Sequence, residues 1–257
     1  MKFPEIRGLI RRRVLVNFRV DPQVIQCILP APFQPKLLEG QAMAGICLIR
    51  LEQIRPHWLP APLGFCSENA AHRIAVCWKD QENQMQEGVY IPRRDSSSMI
   101  NYVMGGRLFP GEHHRATFKV SDDGNNVDLR ARAVDNSVSI DLRGQSTDSL
   151  PSTSLFSTLE EASDFYKCGS LGYSATASGT HLDGVVLVTK RWEVKPFAVE
   201  IAQSSYFSDT KMFPQGSVEF DCALIMRNIE HKWQAVPDLL IEHLDPVSTV
   251  SGKSLLS

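Results

Sequence analysis

No lysine lies between Lys79 and Lys119, in a chain of 257 residues that carries 27 Lys and Arg. Chemistry that needs an uncharged amine has no nucleophile across that stretch. The six cysteines, Cys27, Cys47, Cys66, Cys77, Cys168 and Cys222, are dispersed, with no C-x-x-C pair and no zinc-ribbon spacing. They read as reduced, mostly buried thiols. No window reaches the roughly 18 consecutive apolar residues of a membrane helix. Residues 1–13 are charged with no apolar segment behind them, so the reading is a cytoplasmic chain without a signal peptide or a membrane partner. Neither sign of charge dominates: 27 basic against 29 acidic residues leave a formal charge of -2, which excludes nucleic acid as an expected partner. The G-x-S-x-G, G-x-G-x-x-G and G-x-x-x-x-G-K-[ST] patterns are missing too, so acyl transfer and nucleotide chemistry have no support and no cofactor is expected.

What is present is mostly strand. Val14–Val20 is rich in β-branched and aromatic residues. Asp21-Pro22 then supplies an N-cap and a first-turn proline for a brief helix that carries Val24, Ile25, Ile28 and Leu29 and ends at Pro30. Ala42–Leu51 has the nearly continuous apolar run of a strand buried on both faces, and Glu68–Trp78 and Gln86–Pro92 are further strands. Asp95–Ser98 reads as an N-cap region for a short helix, Met99–Met104, stopped by Gly105-Gly106. His114–Ser121, Val127–Asp135 and Val138–Arg143 form a meander that turns at Asp122-Asp123-Gly124. Ser157 and Thr158, three residues ahead of Glu160 and Glu161, have capping-box spacing and start a helix to about Lys167. Gly184–Val194, Ala198–Gln203 and Ser217–Asn228 are strands, and a small polar tail from about residue 243 frays. Many strands with few helices predict a single β-rich α+β domain over residues 1–257, an antiparallel barrel or cone with short helices outside.

The order strand, Arg19-Val20-Asp21, short helix, Leu29-Pro30-x-Pro32 resembles the opening of acetoacetate decarboxylase-like proteins and of the related uncharacterised family DUF2071 (YqjF-like). Four further features agree: Gly40-Gln41-Ala42 entering an apolar strand, Phe65-x-x-Glu68-Asn69-x-x-x-Arg73, Gly106-Arg107-Leu108, and the late strand Ser217-Val218-Glu219-Phe220. The resemblance spans about residues 11–232. It implies a closed, cone-shaped antiparallel β-barrel around a small-molecule cavity, and a homo-oligomer.

Acetoacetate decarboxylase uses a lysine whose pKa a cationic neighbour holds down. In that family a Lys-Lys pair follows Gly-Arg-Glu after a few residues and a proline. Here the matching region reads Gly106-Arg107-Leu108-Phe109-Pro110-Gly111-Glu112-His113-His114-Arg115, with no lysine. An imidazole cannot form the protonated imine that decarboxylation needs, and Lys119 stands too far along the next strand to be an obvious substitute. A second family carboxylate, expected around Ala44–Ile46, is also absent.

Other parts of a polar cavity survive. Glu68 matches the family's active-site carboxylate. Buried in an apolar cone, its pKa would rise, and it could act as a general acid or base or anchor a ligand; the structural alternative is a salt bridge to Arg73 or Arg19. Arg11 lies near the family's cavity arginine and Arg107 follows the shared glycine, and either could clamp a carboxylate; Arg11, in the run Arg11-Arg12-Arg13, also suits a solvated surface. His113 and His114 point to opposite faces if the segment is a strand, so they cannot share one metal ion without a bend, and no metal is expected. One of them could face the cavity.

The reading that follows is a barrel that binds a small carboxylate- or carbonyl-bearing molecule without Schiff-base catalysis, with Glu68, Arg107, Arg19, Arg11, His113 and His114 as candidate site residues. Two alternatives stay open: a lyase, hydratase or isomerase acting on a small keto acid through Glu68 and a histidine, and a structural barrel filled by its own side chains. Incubation with acetoacetate followed by borohydride should leave the mass of the protein unchanged; a covalent increment would contradict the absence of a Schiff base.

Overall fold

The runs of β-branched and apolar residues become long strands in the computed structural model, which describes residues 5–99, 111, 113–176 and 178–241. The elements are β1 (Ile6–Val20), α1 (Pro22–Ile28), β2 (Gln34–Pro35), β3 (Leu37–Leu38), β4 (Gln41–Pro56), β5 (Phe65–Lys79), β6 (Met85–Ser96), β7 (His113–Asp122), β8 (Asn126–Ala133), β9 (Ser139–Ser146), α2 (Leu159–Lys167), β10 (Leu171–Ala175), β11 (His181–Thr189), β12 (Lys195–Ser204) and β13 (Val218–Leu240). Asp21 caps α1 by accepting from Gln23 N. α2 begins with a reciprocal cap, in which Thr158 Oγ1 accepts from Glu161 N and Glu161 Oε2 accepts from Ser157 N.

Hydrogen-bonded neighbours run β11-β10-β6-β7-β8-β9-β12-β13-β1-β4-β5-β2, and β11 also pairs with β13 and β6 with β5. The pairings therefore close a circuit through β13, β1, β4, β5, β6, β10 and β11. Most pairs are antiparallel; β6 runs parallel to β10 and to β7. β13 is far longer than the expected Ser217–Asn228 because it serves three neighbours: β1 from Val218 to Trp233, β12 at Leu224 and Ile225, and β11 from His231 to Leu240. β2, β3 and β10 are short and carry too little periodicity to be read in the sequence. Asp95 and Ser96, expected to cap a helix, instead end β6; from residue 100 on, that helix lies outside the described residues. Among the described residues no helix is long and apolar enough to cross a membrane.

Successive residues of a strand face opposite sides, and this builds two apolar clusters. Val14, Val16, Ile46, Leu48, Ile74 and Val76 belong to one; Leu15, Met43, Cys47, Ile49 and Leu51 belong to the other, which α2 covers with Ala162 and Tyr166. Only Cys47 and Cys222 among the cysteines are buried, contrary to the expectation of mostly buried thiols. Cys27, Cys66 and Cys168 are exposed because they sit at the ends of α1, β5 and α2 rather than in mid-strand.

His72 is fully buried in the first cluster, its Nε2 2.9 Å from Ser204 Oγ and its ring 4.5 Å from that of Tyr206. Burial, with the Arg93 cation adding to it, pushes its pKa down to about 3. The unfolded chain therefore binds a proton at His72 below pH about 6.5 that the folded state refuses until about pH 3, so stability falls as the pH drops through this window. Urea unfolding at pH 7.5 and 5.5 should show a loss to which His72 contributes roughly 1.3 kcal/mol; a His72→Phe variant that folds and keeps the full loss would contradict this.

Candidate functional site

The strand rows set the site. Across the sheet Leu15 of β1 lies opposite Cys47 of β4, Cys47 opposite Ala71 of β5, Ala71 opposite Arg94 of β6, and Arg94 opposite His113 of β7. The small side chain of Ala71 leaves room in the middle of this row. A cavity of about 140 Å³ opens there, walled by Ile49, Leu51, Ile54, Val89, Ile91, Val185 and Leu187. Gly169 and Ser170, in the tight turn after α2, line it as well. The volume is close to the roughly 150 Å³ that holds a benzene-sized molecule, so the space suits a small ligand and is too small for a nucleotide.

Three arginines line this largely apolar space: Arg13, Arg73 and Arg94. Arg13 is 5% exposed; its Nε donates to Cys47 Sγ at 3.2 Å, and its Nη1 is buried with no partner. Arg73, also 5% exposed, donates to Asn17 Oδ1 at 2.5 Å and lies 5.0 Å from the ring centroid of Tyr166, which leaves its Nε buried without a partner. Arg94 donates from Nε to Ser174 Oγ at 3.2 Å, and its Nη2 is buried and unpaired. Among the described residues none of the three makes a salt bridge to a carboxylate. Asp95 also lines the cavity, but Arg93 takes both of its oxygens at 2.8 and 2.9 Å. Burial pushes the Arg94 guanidinium down to about 10, with the Asp183 carboxylate acting against it, and pushes the Arg73 guanidinium down as well, with the Arg13 cation adding to the fall. Such burial of unpaired cations is costly, and an anion in the cavity would relieve it.

Gly45 permits this packing. It stands opposite Asn17 and Arg73, and a Cβ there would come within 2.3 Å of Val16 O.

The residues expected from the sequence divide between this cavity and elsewhere. His113 lines the cavity; His114, its neighbour, does not. Glu68 does not line it either. It faces the other side of β5, where Arg12 Nη2 donates to its Oε2 at 2.7 Å and Arg50 Nη1 lies 3.7 Å from its Oε1. The salt bridge runs to Arg12, in place of Arg73 or Arg19, in a surface depression that Arg11, Arg50 and Asp122 also line. Burial raises the Glu68 pKa, and the Arg12 and Arg50 charges oppose the rise. Arg19 pairs with Glu219 at 2.5 Å and with Thr153 O at 2.9 Å, at a surface depression remote from the cavity residues. Arg11 is exposed and donates to Asn228 Oδ1 at 2.8 Å. Arg107 lies outside the described residues. Lys119, on β7, pairs in register with Arg130 of β8 and does not line the cavity.

Arg13 and Arg94 were missed, and Arg73 entered only as part of a motif and as a possible partner of Glu68. For Arg73 a signal was available, since it interrupts the apolar stretch from Ala70 to Trp78; Arg13 and Arg94 stand beside other arginines, with nothing local to set them apart.

Elsewhere, His181, Asp183 and Asp238 bring one ligand atom each to within 4.8 Å of one another and could hold a metal ion.

Comparison with known proteins places this geometry. The model of a family of uncharacterized conserved proteins, DUF2071, matches residues 9–221. No curated protein matches the chain. Among solved structures, the acetoacetate decarboxylase of Legionella pneumophila superposes with a TM-score of 0.58 at 14% identity, over 92% of this chain and 88% of that one. An acetoacetate decarboxylase-like enzyme from Sphingomonas wittichii gives 0.57 at 15% identity, over 93% and 94%. The enduracididine biosynthesis enzyme MppR complexed with pyruvate gives 0.55 at 12% identity, over 93% and 90%. At these identities the likeness is one of fold.

Because Glu68 offsets the Arg12 cation, which is 2% exposed, Glu68→Gln should lower stability by about 2–3 kcal/mol, at or below the range for breaking a buried pair because Asp122 still lies 3.3 Å from Arg12. The same variant should leave small-carboxylate binding in the cavity unchanged; loss of that binding with stability intact would return Glu68 to the site.

Proposed function

The chain belongs to the DUF2071 family, and from the cationic cavity we propose that it binds a small carboxylate-bearing molecule inside a closed β-barrel, without Schiff-base catalysis. The observation that carries this reading is the set of three guanidinium groups that line one largely apolar cavity, each with a buried unpaired nitrogen and, among the described residues, without a salt bridge. A planar guanidinium matches a carboxylate with two parallel N–H donors. The unpaired nitrogens Arg13 Nη1, Arg73 Nε and Arg94 Nη2 supply donors for such an anion. The aliphatic walls suit a short hydrocarbon portion, and Ser67, Asn69 and His113 add polar groups beside it. The closed circuit of strand pairings supports the barrel. The absence of lysine from residues 80–118 supports chemistry other than imine formation.

An acid-base enzyme working through Glu68 has less support, since Glu68 is held by Arg12 on the opposite face. The fold's occurrence in a complex with pyruvate makes pyruvate a sensible first probe.

Arg13→Met should weaken pyruvate binding by about 2–4 kcal/mol, roughly 30- to 1,000-fold in Kd by calorimetry. The ligand-free protein should be as stable as the parent or more so, since a buried unpaired charge has been removed. Unchanged affinity in the variant, or no affinity of the parent for any small carboxylate, would contradict the proposal.

A further inference from the structure

The three arginines of the cavity are anchored at two ends of it. Arg13 stands on β1, and Arg73, although it starts on β5, reaches back over Gly45 of β4 to donate to Asn17 Oδ1, which is also on β1. These two guanidinium groups are close enough for the Arg13 cation to act on Arg73. Arg94 turns the other way. It leaves β6, three strands from β1 in the order β1-β4-β5-β6, and its Nε donates to Ser174 Oγ on β10 at 3.2 Å. Three strand spacings amount to roughly 14 Å along the curved wall, and the row that ends at Arg94 passes the small side chain of Ala71. Each end keeps a buried nitrogen without a partner: Arg13 Nη1 and Arg73 Nε at one, Arg94 Nη2 at the other.

Charge and shape then set the kind of anion. Three cations face the space, and the carboxylates nearest to them do not cancel them all. Asp95 is taken by Arg93. Asp183, the register partner of Ser174, acts on Arg94 without a salt bridge to it, while its oxygens lie 3.4 Å from Gly111 N and 3.7 Å from His181 Nε2. A single carboxylate therefore leaves positive charge unbalanced in a space where charges interact strongly. A compact dianion such as phosphate carries enough charge but meets only one end. Both ends line one cavity of about 140 Å³, so two carboxylates on one short chain can meet both, with the methylenes between them against the aliphatic walls.

We propose that the cavity takes a dicarboxylate of three or four carbons, one carboxylate held by Arg13 and Arg73 and the other by Arg94. This rests on the carboxylate reading above and names the ligand class for the same site.

The test is calorimetry on the full chain with malonate, succinate and the monoamide of each, which keeps the size of the diacid and loses one charge. The tighter of the two diacids should bind about tenfold or more tightly than its own monoamide, and more tightly than inorganic phosphate. In Arg94→Met the ratio of diacid to monoamide affinity should fall below about threefold, because the second carboxylate has lost its partner. A parent ratio below about tenfold, tighter binding of phosphate, or a ratio that persists in Arg94→Met overturns the inference. Should Arg94→Met fail to fold, the monoamide and phosphate comparisons in the parent decide alone. If pyruvate binds but neither diacid exceeds its monoamide, this inference fails and the carboxylate reading stands. If no small carboxylate of either charge binds, the carboxylate reading fails and takes this inference with it.

Discussion

Strict alternation along β1, β4 and β5 is the constraint on which the rest of the molecule depends. Arg12 and Arg13 are neighbours in sequence, yet Arg12 points to Glu68 and Asp122 while Arg13 points to Cys47. In β5, Glu68 faces one way; Ser67, Asn69, Ala71 and Arg73 face the other and line the cavity. The same parity divides the apolar residues into two clusters. A one-residue slip of β5 against β4 would turn Glu68 into the cavity and Arg73 out of it, leaving a carboxylate beside Arg13 and Arg94. The register Ile49 to Asn69 and Cys47 to Ala71 prevents this.

The two faces solve the burial of charge in different ways. On one, Arg12 is almost fully buried and has two carboxylates beside it, so its charge is locally compensated. On the other, Arg13, Arg73 and Arg94 hydrogen-bond to a sulfur, an amide oxygen and a hydroxyl and lie near the rings of Trp192 and Tyr166, with the Asp183 charge acting on Arg94. Neutral partners satisfy some guanidinium N–H groups, and among the described residues no salt bridge compensates the three charges. A fold selected for stability alone gains nothing from such an arrangement, because apolar side chains of similar volume commonly do as well or better. A site that must attract an anion into a small, dry space gains its main driving force from it.

Much of the architecture could be read from the residues. The Asp21-Pro22 start of α1, the capping box at α2, the meander of β7 to β9 and the apolar run of β4 all stand where turn chemistry and period placed them. The lengths of β1 and β13 could not be read, because a strand that serves two or three partners along its length is held by pairing rather than by local pattern. The family likeness was legible in ordered motifs. The site was less so. Glu68 stood out as a conspicuous acid in a familiar motif, but its side of the strand depends on where β5 begins and on the irregularity between Leu51 and Ile54 in β4. Arg13 was hidden in a run of three arginines whose chemistry differs completely, one exposed, one paired, one facing the cavity. Cys47 looked like one dispersed thiol among six until the cross-strand rows brought Arg13 and Arg94 near it.

The central claim is that the three arginines hold a carboxylate. A crystal structure of the protein grown with pyruvate tests it directly. The account predicts a carboxylate in the cavity, its oxygens within about 3 Å of at least two of Arg13 Nη1, Arg73 Nε and Arg94 Nη2. A cavity closed by its own side chains, or pyruvate bound instead beside Glu68 and Arg12, would contradict it.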